Sequence, residues 1–178
     1  MSAEPKELYS LLIPLQRERL LVPRMCVAEV IAFADAARNR DDAAPDWYLG
    51  AIEWNNRRLP VVSFDGQRGD DRKSKRSRTR VVVFHAITQE LKGGFYGILT
   101  QGFPQLVRVN PDVLGLETEQ PLPEHFPALC RARMIHEYPL IPDVERLEKM
   151  IAAMPLDIGD QRILMNHPRP AQRRKMLG

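Results

Sequence analysis

Asn55-Asn56 is the feature that most narrows what this chain can fold into. The pair sits between two apolar arms, YLGAIEW at 48–54 and RRLPVVSF at 57–64. Asparagine tolerates a positive φ, and two in succession suit a two-residue type I′ turn, whose twist matches that of the strands it joins. Ile52, Trp54 and residues 59–62 supply strand-forming bulk on both sides. A β-hairpin over 48–64 is therefore expected. Pro60 has no N–H to give to a ladder, so its place should be an edge or a bulge.

Other strands follow on either side. Residues 8–15 (LYSLLIPL) are a short apolar run fit for a buried strand, against which Pro14 counts, and 19–22 is another that Pro23 ends. Residues 26–33 (CVAEVIAF) fit a helical turn or a strand equally well. Residues 79–88 are β-branched without interruption, and 94–103, 105–109, 129–135 and 137–141 also read as strands. Residues 117–127 hold three prolines and three glutamates and read as an acidic connector. The period then changes: Asp143 can cap a helix whose Val144, Leu147, Ile151 and Met154 share one face. Many short strands with one late helix predict a mainly β protein built as small barrels or a sandwich.

Charge is unevenly placed. The 178 residues carry a net charge of +3. Residues 68–80 hold seven Lys/Arg and two Asp, and 161–178 hold five Lys/Arg and no acid. The rest of the chain is net acidic, so the basic pI says little about partners. Residues 65–78 contain no hydrophobic side chain and read as a solvated loop, and 155–178 as a flexible basic tail. A nucleic-acid-binding barrel using 68–80 is the alternative function, but that segment lacks the aromatics on which bases stack. An apolar content of 44% supports a real core. No run of about 18 apolar residues exists to span a membrane. Cys26 and Cys130 do not make a disulfide framework, which favours a cytoplasmic setting.

Motifs for chemistry are missing. The chain has no G-x-G-x-x-G, no G-x-x-x-x-G-K-[ST], no G-x-S-x-G, no H-E-x-x-H and no C-x-x-C. Cys130 and His136 are near enough in sequence to suggest a nucleophile and base, but a core thiol and a strand histidine is the simpler account. Glu117, Glu119 and Glu124 suggest a hard-cation site less well than a solvated acidic loop. No catalytic residue, cofactor or metal is expected.

Four segments, in order, resemble the CheW-like domain family of bacterial chemosensory adaptors. Val27-Ala28-Glu29 matches the family's V-x-E. Residues 50–64 (GAIEWNNRRLPVVSF) align without a gap to G-x-x-N-L-R-G-x-x-x-P-V-V-D-L. Residues 97–102 (GILTQG) match G-x-x-V-D, and Leu140-Ile141 with residues 143–147 (DVERL) look like the closing strand and helix. The resemblance covers residues 7–154, leaving 155–178 as a tail.

The resemblance implies two SH3-like five-stranded barrels sharing a hydrophobic seam, with a short C-terminal helix. It implies a non-catalytic adaptor, cytoplasmic or held at the membrane by a receptor complex and monomeric outside it. Its partners would be the regulatory domain of a CheA-type histidine kinase and the cytoplasmic tip of a chemoreceptor. Carried over by position, Val27, Glu29 and Asn55 would face the receptor, and Leu49 and Arg58 the kinase. Arg57 should point away from Arg58. Three departures stand out: Asn55-Asn56 replaces the family's Arg-Gly, Ser63 the Asp after P-V-V, and Gln101 the Asp of V-D. Such a pattern resembles divergent auxiliary members serving systems that govern type IV pili and twitching motility.

Overall fold

Every side chain from Val81 to Phe84 is buried, which requires a strand covered on both faces. The computed structural model, which describes residues 7–33, 44–64, 78–122 and 127–154, shows what covers them. In chain order the elements are β1 (Leu8–Pro14), β2 (Arg19–Pro23), a 3-10 turn (Arg24–Cys26), β3 (Val27–Ala32), β4 (Tyr48–Trp54) and β5 (Arg57–Val62). Then come β6 (Arg80–His85), β7 (Phe95–Thr100), β8 (Gln105–Val109), β9 (Gly115–Glu117), β10 (Ala128–Arg133), β11 (Leu140–Pro142) and α1 (Val144–Ala152).

Two sheets result. One has the order β8-β1-β2-β11-β10-β9, and the other β3-β6-β7-β5-β4. The second sheet is thus one continuous stretch of chain inserted between β2 and β8 of the first. Three apolar clusters fill the molecule. Leu12, Leu21 and Val109 centre the first subdomain, and Ile52, Leu59, Val61, Val81 and Val83 the second. Between the sheets lies a larger seam of Ile13, Leu20, Val22, Val62, Val82, Phe84, Tyr96, Ile98, Leu140, Leu147 and Ile151, among others. Alternate residues of β1, β2 and β6 therefore enter different cores, so these strands read as unbroken apolar runs.

The hairpin forms as expected: Asn55 and Asn56 have φ of 48° and 59°, and Trp54 pairs with Arg57. Pro60 differs from its expected place, because β5 is an interior strand between β4 and β7. From a two-residue turn, bonded and non-bonded pairs alternate, so Pro60, opposite Ala51, turns its nitrogen toward β7. The β7 ladder covers only Val61 and Val62, so no donor is needed at Pro60.

Two further expectations are corrected. The first sheet has six strands rather than five among the described residues, because Gly115–Glu117, which runs up to the first residue of the acidic connector, pairs with β10. Three residues are too few for an alternation to show. The 79–88 strand stops at His85, since the N–H groups of Ile87 and Thr88 turn to the Glu148 carboxylate. The open choice at 26–33 resolves into a 3-10 turn and then a strand.

Helix α1 is capped as its sequence indicates, with Asp143 Oδ1 accepting from Arg146 N at 3.0 Å. Leu147 and Ile151 enter the seam. No helix among the described residues is long and apolar enough to cross a membrane.

Candidate interaction surface

Strand β3 begins with a bulge. Val27 lies opposite Phe84 and Glu29 opposite Val83, with Ala28 the extra residue. Residues directly opposite share a face. Val27 accordingly packs, half-buried, on the seam side with Phe84, while Glu29 lies exposed on the Val83 side. In a regular strand the two would share a face. The bulge separates them.

Glu29 instead meets the end of the hairpin. The Trp54 indole N–H donates to Glu29 Oε2 at 2.9 Å. Because β3 and β4 are the two edges of the five-stranded sheet, this bond spans the opening between them. Ile31 of β3 and Leu49 and Trp54 of β4 pack on the same inner cluster, so the sheet curls toward a closed barrel.

An aromatic and cationic group surrounds that bond. Trp54 meets Phe95 edge-on at 5.0 Å between centroids. The Arg57 guanidinium lies over the Phe95 ring at 5.6 Å and donates to the Gly93 carbonyl at 3.4 Å. His85, opposite Phe95 in the ladder, tilts against it at 5.2 Å. Aromatic rings and arginine are the side chains that most often dominate binding energy at protein interfaces.

The residues picked from sequence fall into three places. Glu29 and Asn55 come together at the hairpin end, linked by Trp54. Val27 faces the seam. Leu49 and Arg58 sit on the same strand pair but apart: Leu49 is the extra residue of a bulge between Tyr48 and Gly50, half-buried against the inner cluster. Arg58 is exposed opposite Glu53 near the turn, on the face away from Arg57. Roughly 16 Å of strand separates Leu49 from Trp54. Sequence reasoning passed over Trp54, Phe95 and Arg57. The available signal was a Trp at the last strand position before an exposed turn, where its N–H needs a partner.

The other candidates are less organised. Cys130 is half-buried on β10 opposite Ile141, and His136 is exposed in the turn that follows. Burial pushes the Cys26 thiol up, away from thiolate reactivity. Glu117 accepts from the Glu119 N–H at 2.6 Å, while Glu124 lies outside the described residues. No group of three or more His, Cys, Asp or Glu is placed to hold a metal among the described residues. Of the basic segment, 68–77 lies outside the described residues, and Arg80 is engaged with the Phe103 ring at 5.0 Å and with the Thr79 carbonyl. The 155–178 tail also lies outside them.

A profile of the CheW-like domain matches residues 10–150. The chain belongs to the CheW-like family. No curated protein matches it. Among solved structures it is similar to the scaffolding protein TtCheW from Thermoanaerobacter tengcongensis, with a TM-score of 0.59 at 13% identity, covering 79% of this chain and 87% of that one. At that identity the likeness speaks for the fold. This CheW-like chain has the family's two β subdomains and closing helix. Of the three departures, Ser63 is buried and its N–H bonds to the Trp47 carbonyl at 2.7 Å. Gln101 N donates to the Pro14 carbonyl at 2.9 Å, tying the inserted subdomain to β1.

Proposed function

We propose that this protein is a non-catalytic chemosensory adaptor that couples the cytoplasmic tip of a chemoreceptor to the regulatory domain of a CheA-type histidine kinase. The observation that carries this reading is the Glu29–Trp54 hydrogen bond at the mouth of the inserted subdomain. It brings the acid of the V-x-E segment beside the Asn55 turn, although 25 residues of chain lie between them. Glu29 and Asn55 contact the receptor there. Val27 contributes from the seam side of the same strand, across the bulge from Glu29. Leu49 and Arg58 serve the kinase, with Arg58 the exposed anchor near the turn and Leu49 a separate, half-buried apolar contact at the other end of β4.

Within the family, the chain fits a ChpC-type auxiliary adaptor of a system controlling type IV pili and twitching motility. Asn55, Ser63 and Gln101 support this placement, since each replaces a charged side chain of the standard adaptor pattern with a neutral one. The protein works in the cytoplasm at a receptor complex, as a monomer outside the array.

Calorimetric titration tests the reading. Wild-type protein binds both a CheA-type regulatory domain and a receptor-tip fragment with micromolar affinity. Arg58→Ala weakens the kinase titration alone, and Glu29→Gln the receptor titration alone. A folded wild type that binds neither fragment overturns the adaptor role.

A further inference from the structure

Glu148 is fully buried on α1, with 0% of its surface exposed. Burying a carboxylate is costly unless donors replace its water. Here the Ile87 and Thr88 N–H groups each donate to it at 2.8 Å, and the Thr88 hydroxyl donates as well. Helix α1 follows β11 of the six-stranded sheet, whereas Ile87 and Thr88 leave β6 of the five-stranded one. One acid therefore fastens the two subdomains together across the seam. The Tyr96 phenol lies in the same region, and burial first, then the charge of Glu148, pushes its pKa up.

The segment that Glu148 holds supports the interaction surface. Ala86 N donates to the Gly94 carbonyl and Gly94 N to the Leu91 carbonyl, both at 2.9 Å, closing residues 86–94 into a compact connection. Gly93 offers its carbonyl to Arg57. Phe95, the next strand's first residue, carries Trp54, Arg57 and His85. Trp54 holds Glu29. Contacts run without a gap from a buried helix residue to the exposed acid.

We propose that Glu148 is a positioning residue for this surface. By clamping residues 87–88 it fixes Gly93 and Phe95, and through them the Trp54–Glu29 arrangement offered to a chemoreceptor tip. The inference rests on the adaptor reading for its partner, and on the contacts alone for the positioning. A merely structural Glu148 would contribute stability without setting the geometry at Glu29.

The test uses the full chain as wild type, Glu148→Gln, Thr88→Val, Thr88→Ser and Leu21→Ala. Leu21→Ala is a control that weakens the core of the other subdomain. Hydrogen exchange of the Ile87 and Thr88 amides and of the Trp54 indole N–H is followed by NMR, with receptor-tip affinity by calorimetry. Replacing the acid by an amide turns one of its two acceptor oxygens into an NH2 that faces a backbone N–H, so the clamp on residues 87–88 loosens and exchange at all three protons rises about tenfold or more. Tip affinity falls about fivefold, on the order of a lost interface contact. Thr88→Val gives a smaller change of the same kind, and Thr88→Ser restores wild-type behaviour. Leu21→Ala lowers the melting temperature but leaves the indole exchange and the affinity as in wild type. The proposal is overturned if Glu148→Gln and Thr88→Val loosen residues 87–88 without changing the Trp54 indole, or if Leu21→Ala changes it equally. A wild type that binds no tip removes the adaptor reading, and the indole exchange still decides the positioning role.

Discussion

Gly97 faces Val81 so closely that a Cβ on Gly97 would stand 2.5 Å from Val81 Cγ1. Both residues are buried in the inserted subdomain, where Gly97 pairs with Val83 and Val81 with Leu99 in the β6–β7 ladder. Valine is stiff at χ1 and cannot swing clear. Val61 and Leu59 close the remaining space at 3.4 and 3.5 Å.

Gly97→Ala is accordingly expected to destabilise the protein by about 1–3 kcal/mol through overpacking. The double variant Gly97→Ala with Val81→Ala should lose less than the sum of its parts, because the second change removes the methyl groups that the first one strikes. Urea denaturation of the four proteins measures the coupling; additive losses would refute the steric account.

Trp54→Phe keeps a ring on Phe95 and removes only the donor to Glu29. The contact is solvent-exposed, so stability should fall by no more than about 1 kcal/mol. Receptor-tip affinity should fall further than stability does. A variant that binds as wild type would show that Glu29 needs no fixing.

Arg131 joins β10 to the β1–β2 turn. Its guanidinium donates to both oxygens of Glu18, at 2.8 and 3.0 Å, and to the Tyr138 carbonyl at 2.9 Å. The Glu18 carboxylate holds the guanidinium charged, and the side chains are only 8% and 21% exposed. Arg131→Ala strands the acid and should cost about 3 kcal/mol by denaturant titration. Arg131→Met with Glu18→Leu should recover most of that, since no uncompensated charge remains. The buried Nε, which has no hydrogen-bond partner among the described residues, favours the same recovery.

Cys26 should resist alkylation. Burial raises its thiol pKa, so at neutral pH little thiolate forms in the folded protein. Iodoacetamide labelling followed by mass spectrometry should show slow modification of native Cys26 and fast modification in denaturant. Because the folded value lies above the unfolded one, this group's contribution to stability is present below the ordinary thiol value. It is lost as pH rises through the raised one.

The sequence by itself determined the elements whose causes are local. Two adjacent asparagines made the turn, Asp143 made the helix cap, and Pro23 ended β2. Apolar runs in β1 and β6 announced burial without saying on which faces. Tertiary structure decided what depends on partners distant in the chain. Pro60 sits in an interior strand because the neighbouring ladder starts one residue later, a fact of register rather than composition. The three-residue β9 exists because β10 is there to pair with it. The bulge at Ala28 parts Val27 from Glu29, and it is visible only in the pairing with β6. Trp54 and Glu29 meet because a sheet curls until its two edges face each other. Glu148 looks in sequence like any helical acid; it is buried because the donors that replace its water come from 60 residues away.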